Sequence, residues 1–182
     1  MMVYILLGTG FEEIEAVAPC DLLRRAGIET KLVGVSGPTV VGSHGVAVEA
    51  DLTLGEVDFD AMELLMLPGG LRGVASLRAS TEALALTKRA YDAGKYVAAI
   101  CAAPTILAQL SITDGKRATC YPGKEPEMGG AICVDAPAVT DGKVLTGRSA
   151  GASFDFALAL ITALKGEAAA QKVASGVVYP AR

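Results

Sequence analysis

Val97-Ala98-Ala99-Ile100-Cys101-Ala102-Ala103-Pro104 is the stretch that decides the architecture. Val97–Ile100 is wholly apolar, and a run this short and unbroken marks a strand covered on both faces, as in a parallel sheet. Pro104 suits the first turn of a helix, so a strand passes into a helix over Thr105–Leu110 with Cys101 at the junction. Small residues two positions before and after Cys101, Ala99 and Ala103, let strand and helix cross closely and push the central side chain outward. That is the physics of a nucleophile elbow, in which the central residue is often held at strained dihedrals.

The same grammar extends outward along the chain. Val3–Leu7 and Leu64–Leu67 are two further apolar strands. Ile14, Val17, Leu22 and Leu23 give a helical stripe ended by Gly27, with Pro19 predicted to kink the helix or to start its main part. Leu84, Leu86 and Tyr91 give a second stripe, ended by Gly94. Thr30–Val35 completes a β-α-β unit, and Val46, Val48 and Ala50 alternate as an edge hairpin. Asp141-Gly142 predicts a type I′ turn between strands Ala138–Thr140 and Lys143–Thr146. A helix over about Ala152–Leu164 closes on Gly166, and a short one follows over Glu167–Ala174. These elements compose a flavodoxin-like, doubly wound α/β sandwich with a mostly parallel sheet, a single domain over residues 1–182.

Composition removes several functions. The 182 residues carry 16 basic and 20 acidic groups, a net charge of −4, with 5% aromatic residues. No basic patch or aromatic run invites nucleic acid, and no stretch approaches the roughly 20 apolar residues of a membrane span. Val3–Leu7 is too short for a signal sequence, so the expectation is a cytoplasmic protein. One histidine, His44, excludes a multi-histidine metal site, and the four cysteines contain no CxxC pair. Gly8-Thr9-Gly10 begins like a dinucleotide loop, but Glu13 stands at the third glycine and Glu12 and Glu15 flank it, which repels a pyrophosphate.

Chemistry then gathers at three loops leaving the carboxyl ends of strands, where ligands bind in open α/β sheets. Cys101 sits at a helix N-terminus, which favours thiolate and implies a pKa of roughly 3.5 to 7.5. Cys20, Cys120 and Cys133 carry no such signal and fit buried small hydrophobes. Glu12 and Glu13 fit solvated first-turn acids. Glu15 differs, because Ile14, Ala16, Val17 and Ala18 surround it, and a carboxyl buried beside a thiol becomes a proton donor. Gly69 and Gly70 can turn backbone N–H groups into the crevice and, with Ala102, form an oxyanion hole. His44, in a Gly42–Gly45 turn, has nothing in the sequence tying it to Cys101.

Together these residues resemble the ThiJ/PfpI superfamily, and within it the Parkinson disease protein deglycase subfamily. The resemblance rests on Gly10-Phe-Glu-Glu-Ile-Glu15-Ala-Val17, Asp21-Leu-Leu-Arg-Arg-Ala-Gly27, Leu67-Pro-Gly-Gly70, Ala98–Pro104 and Leu145–Phe154. It implies a class I glutamine amidotransferase-like fold, Cys101 as nucleophile and Glu15 as the protonated acid on its sulfur. It also implies Gly70 and Ala102 as oxyanion donors, with Arg148 and His44 as polar groups near the site. A homodimer with the first helix and edge hairpin at the interface follows as well. Two departures narrow the chemistry. Ala102, not histidine, follows the nucleophile, which argues against a peptidase. Tyr121 stands where several relatives place histidine, and a phenol does not exchange protons readily near neutrality.

The function implied is a cysteine-dependent, glutathione-independent glyoxalase or deglycase acting on small α-oxoaldehydes or their adducts, without metal or other cofactor. The alternative is a redox-responsive stress protein in which peroxide oxidises Cys101 with little turnover. A ligand-binding module without chemistry is a third reading.

Overall fold

The computed structural model describes residues 1–180. Strands β1 (Met2–Leu7), β2 (Glu29–Gly34), β3 (Thr39–Val41), β4 (Ala47–Glu49), β5 (Leu52–Thr53) and β6 (Met62–Leu67) are followed by β7 (Tyr96–Ile100). After these come β8 (Arg117–Ala118), β9 (Ile132–Cys133), β10 (Ala138–Asp141) and β11 (Val144–Gly147). The helices are α1 (Glu13–Arg25), α2 (Leu71–Ala79), α3 (Thr81–Asp92), α4 (Pro104–Gln109), α5 (Ser153–Lys165) and α6 (Glu167–Gly176). Seven strands form one sheet in the order β10-β11-β7-β6-β1-β2-β5, with β10–β11 as the antiparallel pair. β3–β4 and β8–β9 stand apart as two small two-stranded sheets.

The unbroken apolar strands behave as the doubly covered strands their composition predicts. On β1, Val3, Ile5 and Leu7 face the side covered by α1, α5 and α6, while Tyr4 and Leu6 face the opposite core. β6 and β7 split in the same way: Met66 and Ile100 go to the first core, Leu67 and Ala99 to the second. Because β1, β6 and β7 lie side by side and parallel, their carboxyl ends meet at one edge of the sheet. None of the described helices is long and apolar enough to cross a membrane.

Several boundaries differ from expectation for local reasons. α1 runs unbroken through Pro19, which is buried; the missing N–H would have reached the Glu15 carbonyl, one turn back. β10 extends to Asp141, which pairs with Val144, so the hairpin turns on Gly142-Lys143. Only Gly142 has positive φ (59°), whereas a type I′ turn needs both central residues there. α2, β5, β8 and β9 had no clear periodic signal, since each is short. α2 seats itself by close approach: Gly73 N donates to Gly10 O at 3.0 Å, and a Cβ on Gly73 would stand 2.6 Å from Phe11 Cα. Neither backbone can yield locally. Gly73→Ala is expected to lower stability by about 1–3 kcal/mol, read as a reduced denaturation midpoint at unchanged m-value.

Candidate functional site

Three loops build the site. The loop after β1 leads into α1 and carries Glu15 on its first turn; the loop after β6 supplies Gly69 and Gly70; β7 ends at Cys101. Cys101 has φ of 66°, one of three non-glycine residues among those described with positive φ. A side chain in that region is strained by roughly 1–3 kcal/mol, and the surroundings fix it in place. Cys101 N donates to Gly147 O at 2.9 Å, and Cys101 O accepts from Tyr121 N at 2.7 Å. Ala99 and Ala103, the small residues on either side, are fully buried, as a close strand–helix crossing requires.

Glu15 is fully buried. Its Oε2 accepts from Gly69 N at 2.9 Å, and the carboxyl bonds toward the Cys101 thiol, while Oε1 has no well-aligned partner. Gly69 therefore differs from the oxyanion role the sequence suggested: its N–H is committed to holding the glutamate. The N–H groups of Gly70 and Ala102 do point to the Cys101 sulfur. Glycine at 69 is a steric requirement, because a Cβ there would stand 2.5 Å from Glu15 Oε2 and 2.7 Å from Cys101 Cβ.

The electrostatics correct the picture of a simply acidified thiol. Burial pushes the Glu15 carboxyl up to about 7, against the bonds from Cys101 and Gly69. Burial, then the charge of an ionised Glu15, push the Cys101 thiol up to about 12, and the amides of Gly70 and Ala102 only partly oppose this. α4 has only six residues, too few to carry the balance by its dipole. Between those two values the pair holds one proton, and a thiolate forms when that proton resides on Glu15.

Cys101 opens onto a cleft of about 360 Å³ lined by Glu12, Gly70, Leu71, Ala102, Tyr121, Pro122, Gly123 and Lys124. Glu12, expected as a solvated first-turn acid, lines the cleft instead, and Leu71 and Lys124 join it with no signal in the sequence beyond their adjacency to the Gly69-Gly70 turn and to Tyr121. Tyr121 reaches the cleft as expected. Arg148 does not line it. It faces a neighbouring cleft with Thr119, Cys120 and Cys133, and is ion-paired to Asp135. His44 is also outside, exposed, with Nδ1 3.1 Å from Glu13 Oε2. Glu13 is more than a solvated acid: it accepts from His44 N at 2.8 Å and from Ser43 Oγ at 3.1 Å, tying α1 to the turn between β3 and β4. Burial opposes ionisation of Glu13, yet these bonds hold its carboxyl down to about 2.

A fold whose sheet edge presents a strained cysteine, a buried glutamate and two glycine amides is that of a cysteine-elbow α/β protein. Residues 1–163 match the DJ-1/PfpI family, and the chain belongs to it. It is 35% identical to protein dj-1beta of Drosophila melanogaster over 177 residues, covering 96% of this chain and 95% of that one. It is 35% identical to a protein named deglycase from Pyrococcus abyssi over 153 residues, covering 83% and 92%. Among solved structures, oxidized DJ-1 of Toxoplasma gondii superposes with a TM-score of 0.94 at 31% identity, covering 99% of both chains.

The raised Glu15 value has a stability consequence. The unfolded carboxyl titrates near 4.5, so burial costs nothing below that pH and its penalty is complete above about 7. Glu15→Gln, which keeps an acceptor for Gly69, removes the penalty. The variant is expected to gain up to about 3 kcal/mol over wild type near pH ~8.5, and little near pH ~4.5. Thermal denaturation at the two pH values checks the sign.

Proposed function

We propose that the protein is a cysteine-dependent, glutathione-independent glyoxalase or deglycase acting on small α-oxoaldehydes or their early adducts with amines and thiols. The observation that carries this reading is the buried Glu15 carboxyl bonded to the Cys101 thiol, with the amides of Gly70 and Ala102 converging on the same sulfur. The archaeal relative named deglycase supports it. With the shared proton on Glu15, the Cys101 sulfur attacks the aldehyde carbon; the C=O π bond becomes an oxyanion held by Gly70 and Ala102 N–H, and Glu15 protonates it to the hemithioacetal. Glu15, now ionised, removes the proton from the former aldehyde carbon and returns it to the neighbouring one, while the hemithioacetal hydroxyl proton passes to the ketone oxygen; the ketone becomes a hydroxyl and the former aldehyde carbon a thioester carbonyl. Water then cleaves the thioester to a hydroxy acid and restores the thiol. For methylglyoxal the product is lactate, and neither oxidant nor reductant is consumed.

The chain is read as one domain over residues 1–182, of which 181–182 lie outside the described residues, and as a cytoplasmic homodimer. Ile14 and Val17 on α1, with Val41 and Val46 at the hairpin, are large apolar groups left exposed and support an interface there. A monomer mass by light scattering at micromolar concentration would overturn that assembly.

A second reading is favoured by one observation: a buried acid beside the sulfur can also hold an oxidised sulfur by hydrogen bonding. The T. gondii relative was solved in an oxidized form. Lactate formation from methylglyoxal separates the two. Wild type is expected to turn over, with Cys101→Ser and Glu15→Gln each falling by about 10²-fold or more. Equal rates in all three proteins contradict the enzyme. Negligible turnover in wild type, with mild peroxide adding two oxygens selectively at Cys101, supports the redox reading instead.

A further inference from the structure

The cleft in front of Cys101 is larger than methylglyoxal needs, and two of its walls are large apolar side chains. Its volume of about 360 Å³ is roughly twelve times the ~30 Å³ share of a water molecule, so a substrate of five non-hydrogen atoms leaves more than half of it to solvent. Leu71 opens α2 with 71% of its surface exposed, and Tyr121 is 47% exposed. Neither packs into the core on either side of the sheet.

Both residues are held beside the sulfur by the backbone. Leu71 directly follows Gly70, whose N–H points to the Cys101 sulfur. Tyr121 N donates to Cys101 O at 2.7 Å, and Tyr121 O accepts from Lys124 N at 2.9 Å, so the chain beneath the ring is tied on both sides. Pro122, also exposed, continues that wall. Exposed apolar residues scattered singly are ordinary, whereas two that converge on one nucleophile have the composition of a ligand pocket. The two charged residues of the lining have partners outside it. Glu12 Oε2 accepts from Ser43 Oγ at 2.9 Å, and Lys124 Nζ donates to Glu127 Oε1 at 2.5 Å. Their charges are opposite, so the walls offer no excess of either sign to select an ionic substrate.

We propose that this cleft is a subsite for a flat apolar group next to the reacting carbonyl, which makes aryl α-oxoaldehydes of the phenylglyoxal type the preferred substrates, with Leu71 and Tyr121 determining the specificity. The inference rests on the glyoxalase reading of Cys101. When the sulfur holds the aldehyde carbon, a ring on the adjacent ketone carbon lies between Leu71 and Tyr121, where it leaves water and meets the phenol ring. The steps balance as for methylglyoxal. Sulfur adds to the aldehyde carbon, the proton on that carbon moves to its neighbour, and water cleaves the thioester to mandelate, with no oxidant or reductant consumed.

Labelling of Cys101 by iodoacetamide and by its N-phenyl analogue, read by peptide mass, tests the subsite without turnover. In both reactions the sulfur displaces iodide from the same kind of carbon and the thiol proton is released, so the rate ratio, normalised to free cysteine, reports the ring. Wild type is expected to favour the phenyl reagent by roughly tenfold, the low end of what added apolar bulk gains in a hydrophobic pocket. Leu71→Ser and Tyr121→Ser should each bring the ratio back toward unity; Leu71 is exposed at a helix start, so serine there keeps the fold. A wild-type ratio near unity, or one unmoved by both substitutions, would overturn the subsite. So would faster normalised labelling by anionic iodoacetate than by the phenyl reagent. Turnover then tests the substrate class: the phenylglyoxal-to-methylglyoxal ratio of kcat/KM should fall roughly tenfold from wild type to Leu71→Ser, and an unchanged ratio would overturn it. Absence of both mandelate and lactate, with the labelling preference intact, would overturn the glyoxalase reading and the substrate class while supporting the subsite.

Discussion

The structure depends on one contact: a buried carboxyl held against a half-buried thiol at the mouth of the cleft. Gly69 N–H pins Glu15 from one side, and a Cβ at that position would strike both partners. A carboxylate and a thiolate cannot both persist in such a place, since desolvation disfavours each charge and their mutual repulsion adds to it. The pair is therefore left with one proton over a broad range of pH. What the site can do follows from where that proton lies.

The sheet delivers the contact. Three parallel neighbours, β1, β6 and β7, end at the same edge, so residues more than 80 positions apart in sequence, Glu15 and Cys101, arrive together. Positive φ at Cys101 turns the side chain out of the strand line toward the crevice, and the adjacent alanines make the turn sterically possible. The Gly70 and Ala102 amides then face the sulfur because each lies in the short turn between its strand and the helix that follows. Strain, close packing and acid–base chemistry are one arrangement, and loosening any of them separates the partners.

Much of this was legible from residue order. Apolar runs without alternation announced strands covered on both sides, and the strand–cysteine–proline junction announced the elbow. Glu15 stood out because apolar neighbours enclosed it, which is also why it is buried. Other features depended on tertiary placement. Glycine at 69 reads as a flexible turn, and only the glutamate's position shows that its N–H is already committed. The thiol is less acidic than its place in the sequence implies for a related reason: a helix N-terminus is visible in sequence, whereas the depth of burial and a carboxylate beside the sulfur are not. Arg148 follows a strand edge that points to the Cys120–Cys133 cleft, a turn of geometry that depends on the short pair β8–β9, too brief to leave a periodic signal.

The proton's location can be measured by the pH dependence of iodoacetamide labelling at Cys101, read by peptide mass in wild type and in Glu15→Gln. A sulfur that becomes anionic by passing its proton to Glu15 gives a wild-type rate that rises through about pH 7 and then levels, with the inflection lost in the variant. A rate climbing tenfold with each pH unit up to about pH 10, alike in both proteins, would show the proton staying on sulfur and would contradict the account.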